Sequence, residues 1–116
     1  MLRPLRLRAS ADFAHARKVG RTIRHPLVAL NSVPNALDHN RYGFIVAKKV
    51  GGAVVRNRVK RRLREIARAR HAGLLQGYDL VWIARNEAAA ATYIQLSDAA
   101  QELLRRARLV KGEETR

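Results

Sequence analysis

The chain has 116 residues, 24 of them Lys or Arg against nine Asp or Glu, for a formal net charge of +15, and no cysteine. Such a length fits one domain that buries roughly two thirds of its chain surface; the lack of cysteine excludes disulfides and thiolate metal sites and suits a reducing compartment, the cytoplasm. No apolar run approaches about 18 residues and no signal-peptide core follows the N-terminus, so no membrane partner is expected.

Residues 1–9 alternate Leu2, Leu5 and Leu7 with Arg3, Arg6 and Arg8 around Pro4, and read as a basic, weakly ordered extended terminus. Ser10 is placed as N-cap of a first helix from about Ala11 to Val19. Asp12 suits its first turn, Gly20 its stop, and Phe13, Ala16 and Val19 its inner side. Leu27–Val33 reads as a strand closed by the turn residues of Pro34–Asn40, and Arg41–Lys48 as a second. Tyr42, Phe44 and Val46 share one face of this second strand, Gly43, Ile45 and Ala47 the other. Both faces are apolar, so a central place in the sheet is expected. Gly51-Gly52 turns into Ala53-Val54-Val55, a candidate third, very short strand.

Arg56–Arg70, RNRVKRRLREIARAR, is the densest stretch of charge, with eight Arg or Lys and a single acid, Glu65. Val59, Leu63, Ile66 and Ala67 recur at the i, i+4, i+7, i+8 spacing of a helix with one apolar face. The spacing predicts a helix from about Arg58 to Ala72, capped by Asn57 and stopped at Gly73. Its remaining circumference carries Arg58, Lys60, Arg61, Arg62, Arg64 and Arg68. Cations crowd the first turn, where the helix dipole favours anions, and like charges three or four residues apart cost a few tenths of a kcal/mol each. The total is on the order of 1–2 kcal/mol at low salt, offset only in part by Glu65 meeting Arg61, Arg62 and Arg68. An anionic partner reverses the sign of every such penalty. The charge is for binding.

Tyr78–Ala84 forms the last clear strand, marked by Leu80, Val81, Trp82 and Ile83; Ala88–Ala91 fits a helical turn or a loop equally. Ser97 is placed as cap of a final helix from Asp98 to about Val110, with Leu103, Leu104 and Ala107 inward. Residues 1–110 then make one domain, and 111–116 a disordered tail. Helix, two or three strands, helix, strand and helix describe an α+β sandwich with one sheet.

The charge is confined. Residues 1–86 hold 19 basic and four acidic side chains, the whole +15, while residues 87–116 hold five of each. Confinement points to a polyanion, most simply nucleic acid. A nuclease acting alone needs an acid–base pair or a carboxylate cluster holding metal. His15, His25, His39 and His71 fall in different elements, Asp12, Asp38 and Asp79 look isolated, and Gly51-Gly52 lacks the rest of a phosphate loop. No catalytic and no metal-binding residue is assigned.

The segment FIVAKKVGGAVVRNRVKRRLRE resembles the protein subunit of bacterial ribonuclease P, whose hallmark is an RNR helix after a strand ending in Lys-Lys-x-Gly. Lys48, Lys49, Gly51, Ala53, Val54, Arg56, Asn57, Arg58, Lys60, Arg61, Arg64 and Glu65 fall in register. Asp12-Phe13, Tyr78-Asp79 and Ala84-Arg85 extend the likeness over roughly residues 6–110. The resemblance implies an α+β fold, a single-domain α/β sandwich of α-β-β-β-α-β-α order around one mainly antiparallel sheet, with a left-handed crossover through the RNR helix. It also implies two partners, a large catalytic RNA and precursor tRNA, with no obligate protein partner. The RNA, with Mg²⁺ at its own active site, cleaves the 5′ leader; the protein holds no metal by a recognisable motif. By that analogy Lys48, Lys49, Arg56, Asn57, Arg58, Lys60, Arg61, Arg62, Arg64 and Arg68 contact the catalytic RNA. A cleft between the first helix and the sheet takes the leader and is assigned to Phe13, Arg17, Leu27, Val28, Leu30, Phe44 and Val46. The family often lines this cleft with aromatics; here Arg17 follows Phe13 by one turn, and Leu27, Val28 and Leu30 stand where aromatics are common. The alternatives are a ribosomal or other structural rRNA-binding protein, a protein-only nuclease and a DNA-binding regulator. Against the last, the basic helix is flanked by strands rather than by a helix-turn-helix partner.

Overall fold

Alternating and helical patterns resolve into seven elements in the computed structural model, which describes residues 5–113. They are α1 (Ser10–Val19), β1 (Arg21–Arg24), β2 (Val28–Pro34), β3 (Arg41–Ile45), α2 (Ala53–Arg70), β4 (Tyr78–Ala84) and α3 (Tyr93–Arg106). The order is the expected α-β-β-β-α-β-α. One sheet runs β1-β2-β4-β3, antiparallel at the first two junctions and parallel between β3 and β4, which α2 connects. No described helix is long and apolar enough to cross a membrane.

The two faces of the sheet are covered unequally. Val28, Leu30, Leu80, Trp82 and Tyr42 point to one side, where Val59, Leu63 and Ile66 of α2 and Leu96, Leu103 and Leu104 of α3 complete the main core. On the other side α1 lies alone, over a small cluster of Leu7, Ala16, Val33 and Val81 with half-buried Phe13, Ile45 and Ile83. Helix α1 therefore has little apolar burial to hold it.

Several sequence expectations are corrected. The third early strand is β1, not Ala53–Val55: those residues are the first turn of α2, begun at Gly52 with no side-chain cap, and Asn57 lies inside the helix. Val54 and Val55 have strand propensity, but Val55 is one turn before Val59 and packs on the core, and burial overrides propensity. β3 is an edge strand rather than a central one. Its edge is shielded by the N-terminal segment, where Arg6 bridges to Tyr42 and the Leu7 amide donates to the Tyr42 carbonyl at 2.8 Å, so both faces can be apolar. Ser10 is the first residue of α1 and makes no cap, and Val19 is 56% exposed instead of inward. α3 begins at Tyr93 under a capping box, Thr92 Oγ1 accepting from the Gln95 amide and Gln95 Oε1 from the Thr92 amide. Ser97 is interior, and the helix stops at Arg106 because Arg108 turns left-handed, φ 59°, and folds Leu109 and Val110 back against Leu74 and Leu75. The expected tail is tied as far as Glu113: Lys111 bonds the Gly73 carbonyl and Glu113 pairs with Arg105. Residues 1–4 and 114–116 lie outside the described residues.

Candidate nucleic-acid interface

A helix with Val59, Leu63, Ile66 and Ala67 pinned to the core must present the opposite stripe to solvent. That stripe is Asn57, Arg61, Arg64 and Arg68, spaced i, i+4, i+7, i+11, with Lys60 on its flank. It runs about 16 Å along the axis at 1.5 Å per residue. Lys48 and Lys49 stand exposed in a short 3₁₀ turn that precedes the helix, and extend the positive surface beyond its N-terminal end. None of these cations makes an ion pair with a described residue. Neither does Glu65, expected to neutralise its arginine neighbours, so the repulsion within the stripe stands uncompensated.

Other arginines of α2 are engaged. Arg58 donates to the Ala89 carbonyl at 2.8 Å and Arg62 to the Ala91 carbonyl at 3.0 Å, which fastens the 3₁₀ turn Asn86–Ala90 to the side of the helix. Arg70 reaches α3, donating to the Ser97 carbonyl and hydroxyl and to Gln101. Arg56 donates through Nε to the Gly51 carbonyl. Of the ten side chains assigned to RNA, these bonds turn Arg58 and Arg62 toward their own protein and hold Arg56 beside the turn.

The cleft residues divide by strand parity. Phe13 and Arg17 share one flank of α1 and, with Ser10, Ala14 and Lys18, line an open hollow. Val28 and Leu30 lie on the opposite face of the sheet, 0% and 1% exposed, inside the core under α2 and α3. Leu27, Phe44 and Val46 pack against that same core. Strand side chains alternate, so Val28, Leu30 and Phe44 sit one residue out, on the face away from α1, while Leu27 and Val46 lie just beyond the strand ends. The floor beside α1 is instead the row Ala29, Ile83 and Ile45, directly opposite one another across β2, β4 and β3. Ile45 and Ile83 are half-buried and touch the cluster that contains Phe13. Gly43, one register step away, lets Phe13 lie flat: a Cβ there would stand 2.5 Å from Phe13 Cε1. A basic helix flank over a short apolar floor has the two features that single-strand binding calls for, cations for a backbone and apolar surface for bases.

A family model described as Ribonuclease P matches residues 1–108. The chain belongs to the ribonuclease P protein family. It is 44% identical over 113 residues to the ribonuclease P protein component of Roseiflexus castenholzii, covering 97% of this chain and 93% of that one. It is 42% identical over 105 residues to the component of Dehalococcoides mccartyi, covering 90% and 86%. Its fold matches the RNase P protein of Staphylococcus aureus with a TM-score of 0.86 at 30% identity, over 92% of this chain and 98% of that one. The Thermotoga maritima RNase P protein matches with 0.80, also at 30%, over 87% and 96%. The chain is thus the protein component of a tRNA-processing ribonucleoprotein endonuclease, and its partner is the ribonuclease P RNA.

Membership leaves some of this chain's chemistry to be read from the structure. Asp12 and Asp79 are not isolated: Arg41 donates to both oxygens of Asp79, at 2.9 and 2.8 Å, and to Asp12 at 3.4 Å. The paired Asp79 carboxylate holds the Arg41 guanidinium above its ordinary pKa. At the far end of α2 the Tyr42 hydroxyl and His71 Nδ1 lie 2.6 Å apart, with Asn40 Nδ2 at 3.4 Å from the same hydroxyl. Burial raises the Tyr42 pKa and lowers that of His71, which Lys111 and His39 depress further. Sequence spacing gives no sign of either cluster, since Asp12, Arg41 and Asp79 lie 29 to 67 positions apart and His71 lies 29 positions from Tyr42.

Proposed function

We propose that this subunit binds the ribonuclease P RNA through the Asn57, Arg61, Arg64 and Arg68 stripe with Lys60, Lys48 and Lys49, and takes the 5′ leader of precursor tRNA between α1 and the sheet. The carrying observation is the row of unpaired cations, Lys48, Lys49, Arg61 and Arg68 exposed and Lys60 and Arg64 half-buried, on a helix whose other side is fixed to the core. Such a row costs folding energy without a polyanion and gains it with one. The described residues bring together no group of three His, Asp or Glu fit to hold a metal ion. Family membership supports placing catalysis, with Mg²⁺, on the RNA, and gives the protein the part of binding and positioning in the cytoplasm, where precursor tRNA is made. Cleavage of precursor tRNA is assayed with RNA alone, protein alone and both at low Mg²⁺. The expected result is activity of the pair well above that of RNA alone, and none for the protein. Cleavage by the protein with Mg²⁺ and no RNA would overturn the reading.

A further inference from the structure

We infer that Asp12 and Arg41 are positioning residues for the leader: they fix the roll of α1, and so the place of Arg17 above the groove floor. The inference rests on the proposed leader site and adds to it a device on the opposite flank of the helix.

Three observations carry it. First, α1 is weakly seated. Ala16 is its one fully buried residue, and Asp12–Arg41 is the one side-chain hydrogen bond from the helix to the sheet among the described residues. Second, Arg41 is itself rigid. Its two bonds to Asp79, which is 3% exposed and also accepts from Asn35, fix the guanidinium to β4 while its backbone belongs to β3. The weaker 3.4 Å bond to Asp12 is thus a tether from a fixed post to a loose helix. Third, the tether and the groove lie on opposite flanks with a pivot between them. At 3.6 residues per turn Asp12 and Arg17 point about 140° apart, and Phe13, pressed on Gly43, lies between. Rolling α1 about that contact moves Asp12 and Arg17 together. Releasing Asp12 frees Arg17.

The sign of the effect separates this device from plain electrostatics. Asp12→Asn removes a negative charge, so the general positive field of the protein grows, and RNA of every kind should bind slightly better if the field is all that matters. Loss of the tether instead weakens one substrate only, the one with a leader. Arg41→Lys complements it, since an ammonium cannot hold both Asp79 oxygens and Asp12 in one plane.

The test uses the reconstituted holoenzyme and compares the dissociation constants of precursor and mature tRNA for wild type, Asp12→Asn, Arg17→Ala and the double variant. Arg17→Ala should weaken precursor about tenfold and leave mature tRNA unchanged. Asp12→Asn should weaken precursor about three- to fivefold, again sparing mature tRNA, and should add nothing once Arg17 is Ala, because it acts through that side chain. Melting of free Asp12→Asn protein checks that it folds; should it not, Asp12→Glu, which keeps the carboxylate on a longer stem, must show the same non-additive loss in smaller measure. If Arg17→Ala affects both tRNAs alike, the leader reading fails. If Arg17→Ala behaves as expected but Asp12→Asn binds precursor normally or tighter, or its loss adds to that of Arg17→Ala, the positioning role is overturned and the leader reading stands.

Discussion

Arg61 and Arg62 are neighbours in the chain and do opposite things. Adjacent residues on a helix point about 100° apart. Arg61 lies in the exposed stripe with Arg64 and Arg68, whereas Arg62 joins Arg58 and Arg70 on the flank that grips the Asn86–Ala90 turn and α3. One helix therefore carries two sets of arginines with the same chemistry and separate duties. One set docks the helix to its own protein, and the other remains open for a polyanion. The distinction explains why so basic a helix folds at all: part of its charge is absorbed by backbone carbonyls, which accept charge-assisted bonds without adding a second ion.

The largest expected effect lies on neither set. Leu63, 2% exposed, anchors the face between them, so Leu63→Ala should cost about 2–5 kcal/mol of stability by transfer and cavity terms. Urea unfolding reads this directly, and a variant that unfolds like wild type would mean that the helix is rotated and Leu63 does not face the core. Next comes the open set. Arg61→Ala with Arg64→Ala should weaken RNA binding on the order of 10²-fold, taking about 1.5 kcal/mol for each charge-assisted contact, and lower the slope of log affinity against log salt by about two. The free protein should be no less stable, and up to about 1 kcal/mol more so as like-charge pairs are relieved. An unchanged slope would put the RNA on another surface. The docking set should show the converse at smaller size. Arg58→Ala removes the bond to Ala89 and the packing of its stem, and should cost about 1–2 kcal/mol of stability with the salt slope intact. A slope reduced by about one would show that Arg58 leaves the turn for a phosphate, and the two sets would merge.

The main core is largely legible in the sequence, and the reason is repetition. Val59, Leu63, Ile66 and Ala67 at helical spacing, and the apolar run from Leu80 to Ile83, repeat a signal several times within one element. The RNR motif adds the family, and with it the α-β-β-β-α-β-α order. What escapes are features decided by single residues or by distant ones. β1 has four residues, RTIR, too few and too charged to stand out as a strand. The start of α2 is hidden because Gly52 offers no cap side chain to recognise, while Thr92 and Gln95 spell a capping box that Ser97, a stronger cap type nearer the apolar run, obscures. The cleft fails on parity: Val28 and Leu30 are the apolar choices in β2, but the face toward α1 holds Ala29, Asn31 and Val33, and nothing local says which parity faces the thinner layer. The arginine sets also need the fold, because only the position of the Asn86–Ala90 turn decides that Arg58 and Arg62 have carbonyls to meet.

The smallest effect concerns the C-terminal end of α2, where the docking side meets a titratable group. His71 follows the last residue of the helix, and its Nδ1 is placed to accept from the Tyr42 hydroxyl, leaving Nε2 to carry the ring proton when the imidazole is neutral. Burial lowers its pKa from the usual 6.5, and the positive charge of Lys111 and of His39 lowers it further. The unfolded chain therefore takes up a proton at a higher pH than the folded one. Stability is full above about pH 6.5, falls as pH drops through that value toward the lower folded pKa, and levels off below it. Protonation also places a hydrogen on Nδ1, so the Tyr42 hydroxyl loses its acceptor. The melting temperature of the free protein should accordingly be lower at pH 5.5 than at pH 7.5, by less than Arg58→Ala lowers it. His71→Gln should shift the whole curve down and flatten this step. RNA affinity should move the other way or stay constant over the same range, since an added proton only strengthens the positive field. If acid weakens RNA binding as much as it weakens the fold, the docking end and the binding stripe are coupled, and the separation of duties along α2 does not hold.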